Sequence, residues 1–214
     1  MSLSIFRTLA GFLFAALLSV SMGGSALAQE QQVGVMWTYS HSPGTGHKDG
    51  LGIAGEGVIR LRPNLAVITT GGVEWTAKSY VGNGRASRIE SRFRYFVGPQ
   101  SLRGFGQIGA AGVNNTTSEY SKSAYFLTVG GGVSYKNFVV FDWNHFVREK
   151  QTLNRVQSDK FNVSVYVPFD SDDRWLVRVD VFVQRTDFTQ PNGPDAGQHK
   201  TVGTGVRMGI GYKF

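Results

Sequence analysis

The 214-residue sequence contains no cysteine. That excludes a disulfide framework and any thiolate-held metal site. Long apolar runs are equally scarce: after residue 28 none approaches the ~20 residues a membrane-crossing helix needs. A helical membrane protein is therefore excluded, and a soluble exported protein or one that crosses with strands remains. Only 17% of residues are charged, and although the balance is +7, the bases form no run. No nucleic-acid-binding tail is present on that ground. The glycine-rich stretches Gly104 to Gly112 and Gly130-Gly131-Gly132 end in neither a helix nor G-K-[ST], so they are not phosphate-cradling loops.

What is present starts with an export signal. Arg7 forms a positive start, Leu9 to Val20 an apolar core, Gly23-Gly24 a break, and Ala26-Leu27-Ala28 a small-x-small cleavage pattern. Residues 1–28 are expected to be removed as a signal peptide, leaving one domain at 29–214 with a charge of +6.

Within that domain, apolar and polar residues alternate in ten segments, near 32–40, 50–61, 65–77, 86–97, 103–113, 123–135, 138–148, 158–169, 174–187 and 201–214. Most have the length a tilted barrel strand needs. Longer polar connectors (41–49, 78–85, 114–122, 149–157, 188–200) alternate with short ones (62–64, 98–102, 136–137, 170–173). Such alternation predicts an all-β fold: a closed antiparallel up-and-down transmembrane β-barrel of ten strands, or eight if one hairpin is misread, with both ends of the mature chain in the periplasm.

A charged side chain facing lipid near the bilayer midplane costs roughly 2–4 kcal/mol, so charges should share one parity. They do. Glu56, Arg60, Glu74, Arg88, Glu90, Arg92, Arg94, Asp142, Arg178, Asp180 and Arg207 fall on one face, predicted to be the lumen. Leu51, Ile53, Val73, Trp75, Phe93, Tyr125, Leu127, Phe141, Trp143, Val165 and Val181 fall on the other. Arg185 breaks the pattern only near a segment end, above the bilayer. The fifth segment is ambiguous; placing Arg103 and Gln107 inward also turns Phe105 inward, which is preferable to a midplane Gln in lipid. Aromatics bracketing aliphatics, as in Phe161 to Phe169, fit interfacial girdles rather than a sandwich core. The inward set is expected to pair as a lumen charge network, with acids and bases near balance.

Thr201 to Phe214 alternates throughout and ends Tyr212-Lys213-Phe214. This ending resembles the C-terminal assembly signal of bacterial outer-membrane barrels. The whole mature chain resembles the family of small outer-membrane β-barrel proteins that includes the OmpA-barrel and OmpX-like groups. The resemblance implies an outer-membrane location, contact with outer-membrane lipid and lipopolysaccharide, and handling by periplasmic chaperones and the barrel-assembly machinery, with Tyr212 and Phe214 as the signal. It specifies a class and no activity; a non-enzymatic structural or surface-interaction role is expected, with a narrow, weakly anion-preferring channel as the alternative. A monomer is expected, with no nucleic-acid partner.

Catalysis needs a base, a nucleophile or water, and an orienting carboxylate within reach of one another. The best stretch is Asp142-Trp143-Asn144-His145-Phe146, but His145 has the outward parity of Trp143. A lipid A deacylase would carry serine where Val147 stands, and the carboxylate and Asp–His pairs of an omptin-like protease cannot be assembled. No enzyme, cofactor or metal is therefore expected; His41, His47 and His199 read as solvated loop residues.

Deleting Phe214, or replacing it with Asp, is expected to leave export intact and block insertion. Outer-membrane fractionation with heat-shifted gel mobility tests this; a folded mutant at normal level rules the signal out.

Overall fold

The computed structural model describes residues 30–42, 48–79, 82–116, 121–136, 138–148, 156–190 and 197–214. The expected signal peptide lies outside them. The strands are β1 (Glu30–Ser42), β2 (Lys48–Arg62), β3 (Leu65–Ser79), β4 (Gly82–Val97) and β5 (Leu102–Thr116), then β6 (Ser121–Tyr135), β7 (Val139–Arg148), β8 (Val156–Pro168), β9 (Trp175–Gln190) and β10 (Gly197–Lys213). Each pairs antiparallel with its sequence neighbours, and β1 pairs with β10 to close the barrel. The count is ten, and the eight-strand alternative falls.

The residue distribution is inverted relative to a soluble fold. Among the described residues thirty-three large hydrophobic side chains are exposed and nine hydrophobic ones buried, against fourteen buried polar or charged ones. Tyr125 is 73% and Ile108 64% exposed, while Asp180 is wholly buried. An apolar patch this extensive needs a non-aqueous partner, and a closed barrel with an apolar outer belt has one in lipid. The outer surface is that of a membrane-spanning barrel.

The parity assignment holds in the ambiguous strand too. Arg103, Phe105 and Gln107 on β5 are buried, while Ile108 and Ala110 face out. Phe105 is accommodated because its register partner on β6 is Gly132; a Cβ there would stand 2.6 Å from the Phe105 ring. Phe182 on β9 sits over its own partner Gly205 in the same way. Two inward glycines thus seat two inward rings, which fill space that side chains on neighbouring strands would otherwise contest.

The strands run longer than the sequence pattern indicated. β4 begins at Gly82 rather than 86, β5 continues to Thr116 and β9 to Gln190, while β10 begins at Gly197. These additions lie at the long-loop end; at the other end β1 gains two residues and β2 and β5 one each. Beyond the apolar belt there is no lipid to impose alternation, yet the pairing continues because it still satisfies backbone donors and acceptors. The opposite end is tight. Leu102 N–H donates to Pro99 O at 3.1 Å, and Gly98 (φ 102°), Lys136 (φ 47°) and Asp173 (φ 54°) take the left-handed conformation such turns require.

At that end Phe169, Trp175, Tyr212 and Phe214 form a continuous run of rings, with successive centroids 6.3, 4.8 and 5.0 Å apart. Phe214 N–H also donates to Gln31 O at 2.9 Å, so the last residue completes the seam between β10 and β1.

Ser164, an inward position that the parity alone suggests could accept a charge, is 1% exposed beneath Asn162 and has no room for one. Thr70 is the better inward control, because it lines the lumen between its register partners Glu56 and Glu90. Val165→Arg is expected to cost roughly 2–4 kcal/mol, and Thr70→Arg much less. Urea titration of the refolded variants checks this; equal costs would contradict the inside–outside assignment.

Candidate functional site

Among the described residues the lumen gathers most of the charged side chains. Glu56 (β2), Arg88, Glu90, Arg92 and Arg94 (β4), Asp142 (β7), Arg178 and Asp180 (β9) and Arg207 (β10) all point inward, as their parity required. They form two groups.

The first is centred on Arg178. Its Nε donates to Asp180 at 2.6 Å and its Nη1 to Glu56. β10 and β1 lie between β9 and β2, so this one guanidinium ties two walls of the barrel together. Asp180 has a second cation, Arg207, at 4.0 Å. Arg178 also lies over the Tyr166 ring at 5.0 Å.

The second group starts on β4. Glu90 is held along its own strand by Arg88 at 2.9 Å and Arg92 at 3.4 Å. Arg94 donates to Gln107 Oε1 at 2.9 Å and covers the Phe105 ring at 4.0 Å. Gln107 donates on to Asn144 Oδ1, Asn144 to Asp142 at 2.7 Å, and Asn162 to both Asp142 at 3.3 Å and Ser164 at 2.8 Å. The chain passes over β6 because Gly130 is the register partner of both Gln107 and Asn144. With no side chain there, the two amides meet. The run Gly130-Gly131-Gly132 therefore clears the path of a hydrogen-bond network and seats a ring.

Cross-lumen pairing is narrower than the sequence suggested. Among the described residues Arg178 carries a carboxylate contact past two strands, whereas Arg88 and Arg92 pair along β4 and reach β7 at the Phe146 ring (4.5 Å) and Asn144 (3.4 Å). Charge is also less balanced than expected. Arg103 and Lys160 are buried inside the barrel, which gives eight cations against Glu56, Glu74, Glu90, Asp142 and Asp180. Lys160 was missed because it stands at the start of the eighth segment, where a lysine reads as loop polarity. Its even number on β8, shared with Asn162 and Ser164, is the signal that places it inward.

A cavity of about 710 Å³ runs among these groups. Its walls include Gln32 and Arg60 towards the short-turn end and Ser40, Glu74 and Gln184 towards the other.

The outer wall carries a smaller set near the long-loop rim. His145 Nδ1 and the Trp143 indole N–H both contact Asp159 Oδ1, at 2.9 and 3.0 Å. On β1 and β2, His41 Nδ1 and the Tyr39 hydroxyl meet Asp49 in the same arrangement, at 2.7 and 3.4 Å. Arg185 makes a bidentate pair with Asp187 at 3.1 Å, which raises its pKa further above the ordinary arginine value. The sheet separates Asp142, inside, from His145, outside, so the Asp142–His145 stretch is not a catalytic unit. The His145–Asp159 pair has Val147, with no nucleophile, two residues on. His47 and the side chain of His199 lie outside the described residues, within which no cluster of metal-ligating side chains occurs.

No family model and no curated protein matches the chain. Among solved structures it is similar to the translocator domain of autotransporter NalP from Neisseria meningitidis (12% identity, 97% of this chain and 95% of that one, TM-score 0.44). Neisserial surface protein A gives 9% identity over 86% and 97%, TM-score 0.42. The outer membrane protease OmpT from Escherichia coli gives 8% over 90% and 99%, TM-score 0.41. These likenesses concern barrel architecture and assign no activity.

Arg178→Leu leaves Glu56 and Asp180 buried without their shared cation, and a loss of about 3–5 kcal/mol is expected. Arg92→Leu should cost less, since Arg88 still holds Glu90. Chemical unfolding of both variants checks the order; a larger loss for Arg92→Leu would mean that the tie between β9 and β2 is not the main one.

Proposed function

We propose that this chain is an integral barrel of the bacterial outer membrane with a non-enzymatic, structural or surface-interaction role, its lumen filled by a polar, ion-paired network. The Arg178 tie from β9 to β2 carries this reading: a side chain that reaches past β10 and β1, from Asp180 on its own strand to Glu56, braces the wall and narrows the bore. The exposed apolar belt supports residence in lipid. The ionic and aromatic groups at the long-loop rim, Arg185 and His145 among them, are suited to the phosphates and sugars of lipopolysaccharide. The terminal Tyr212 and Phe214 serve as the assembly signal for the barrel-assembly machinery, with periplasmic chaperones acting before insertion. The working unit is the monomer, since closure leaves no strand edge to share.

A second reading, a narrow anion-preferring diffusion channel, is favoured by one observation: the cavity's lining runs from Arg60 to Glu74, with cations in excess. The network reading is preferred because ten strands make a barrel only slightly wider than one its side chains fill.

Planar-bilayer recording on refolded protein separates the two. Wild type is expected to conduct little, and truncating Arg88, Arg92 and Arg178 together to open a leak with reduced anion preference. Steady anion-selective current through wild type would replace the network reading with the channel.

A further inference from the structure

We infer that Lys160, Arg207 and Arg88 form a binding site inside the lumen for a small oxyanion, a carboxylate or phosphate group. Lys160 is 7% exposed, lines the cavity, and among the described residues has no carboxylate within ion-pair distance; the Phe182 ring centroid lies 4.3 Å from its Nζ. An ammonium has three protons to donate and no acceptor capacity of its own, so a ring face satisfies it only in part.

Its charged surroundings repeat the pattern. The guanidinium of Arg207 lies over the same Phe182 ring at 4.9 Å. The carboxylate nearest to Arg207, Asp180, is 4.0 Å away and is already held by Arg178 at 2.6 Å. Arg88 reaches from β4 to the Phe146 ring at 4.5 Å, and Phe146 pairs with Ser158, two residues before Lys160 on the same inward face of β8. Glu90 in turn is shared by Arg88 and Arg92. Cations from β4, β8 and β10 therefore face one part of the cavity, where Glu90 and Asp180 each already lie against two guanidinium groups, although Glu90 Oε1 and Asp180 Oδ2 accept no hydrogen bond. A buried charge is tolerated when it is paired and hydrogen-bonded, and an oxyanion accepts from all three at once. A cavity of about 710 Å³ holds such a group with its remaining water.

An anion site adds a binding activity to the structural role and requires no conduction. A barrel silent in a planar bilayer can still bind the anion, so the two readings fail separately.

The test uses the mature chain refolded in detergent, with thermal unfolding followed against inorganic phosphate or acetate at constant ionic strength set by chloride. A saturable rise in melting temperature is expected with at least one of them. A response to phosphate alone assigns phosphorylated solutes, and one to acetate alone assigns carboxylates. Lys160→Met should melt no lower than wild type without the probe, because it removes a repelled charge, and should bind the probe at least about tenfold more weakly. Lys160→Arg should retain the response. A second measurement needs no variant: the effective probe should slow modification of Lys160 by a small amine-acylating reagent while leaving the exposed Lys136 unaffected. The site is disproved if neither probe acts beyond chloride, if Lys160→Met responds as wild type does, or if Lys160 gains no protection.

Discussion

A peptide N–H or C=O inside a bilayer has no water to bond, and the closure of β1 against β10 removes the last strand edge that would leave such groups bare. Everything else in this barrel follows from that ring of pairing. Closure fixes which parity faces out, and lipid then selects apolar side chains there. The other parity is confined to a narrow interior, where any charge must find a partner among a few near neighbours. Phe214 belongs to this constraint as well as to the girdle, since its N–H makes a bond to Gln31 across the seam.

The interior is organised by what is missing as much as by what is present. Gly130 lets Gln107 and Asn144 meet, and Gly132 and Gly205 admit the rings of Phe105 and Phe182. Those rings then receive cations: Arg94 on Phe105, Lys160 and Arg207 on Phe182. Glycine on one strand, aromatic on the next and cation above form a repeated three-layer unit. Through it a small barrel buries arginine and lysine without one carboxylate for each.

The sequence carried the architecture well because lipid enforces a penalty at every second residue. Strand number, the facing of Arg185 and His145, and the inward turn of Phe105 were all readable from parity and cost. Above the belt the penalty ends, so the extra residues of β4, β5, β9 and β10 showed no alternation to read. Parity identified the lumen charges but not their partners. Whether Arg178 bonds Glu56 or Glu90 depends on stagger around the ring, and that is set by register at every hairpin. Lys160 shows the same limit from the other side: its parity was visible, but a lysine next to a polar connector looked like part of the connector.

The unforeseen length of the strands sets how far the protein stands from its membrane. On β9, pairing continues seven residues past Val183, the last large apolar side chain exposed among those described on that strand. At about 3.3 Å per residue and a tilt of about 40°, that is roughly 18 Å of height. The paired strand ends there form a stiff collar clear of the hydrocarbon. Residues exchanged on that collar change what the surroundings meet while leaving the energetics of insertion to the belt below.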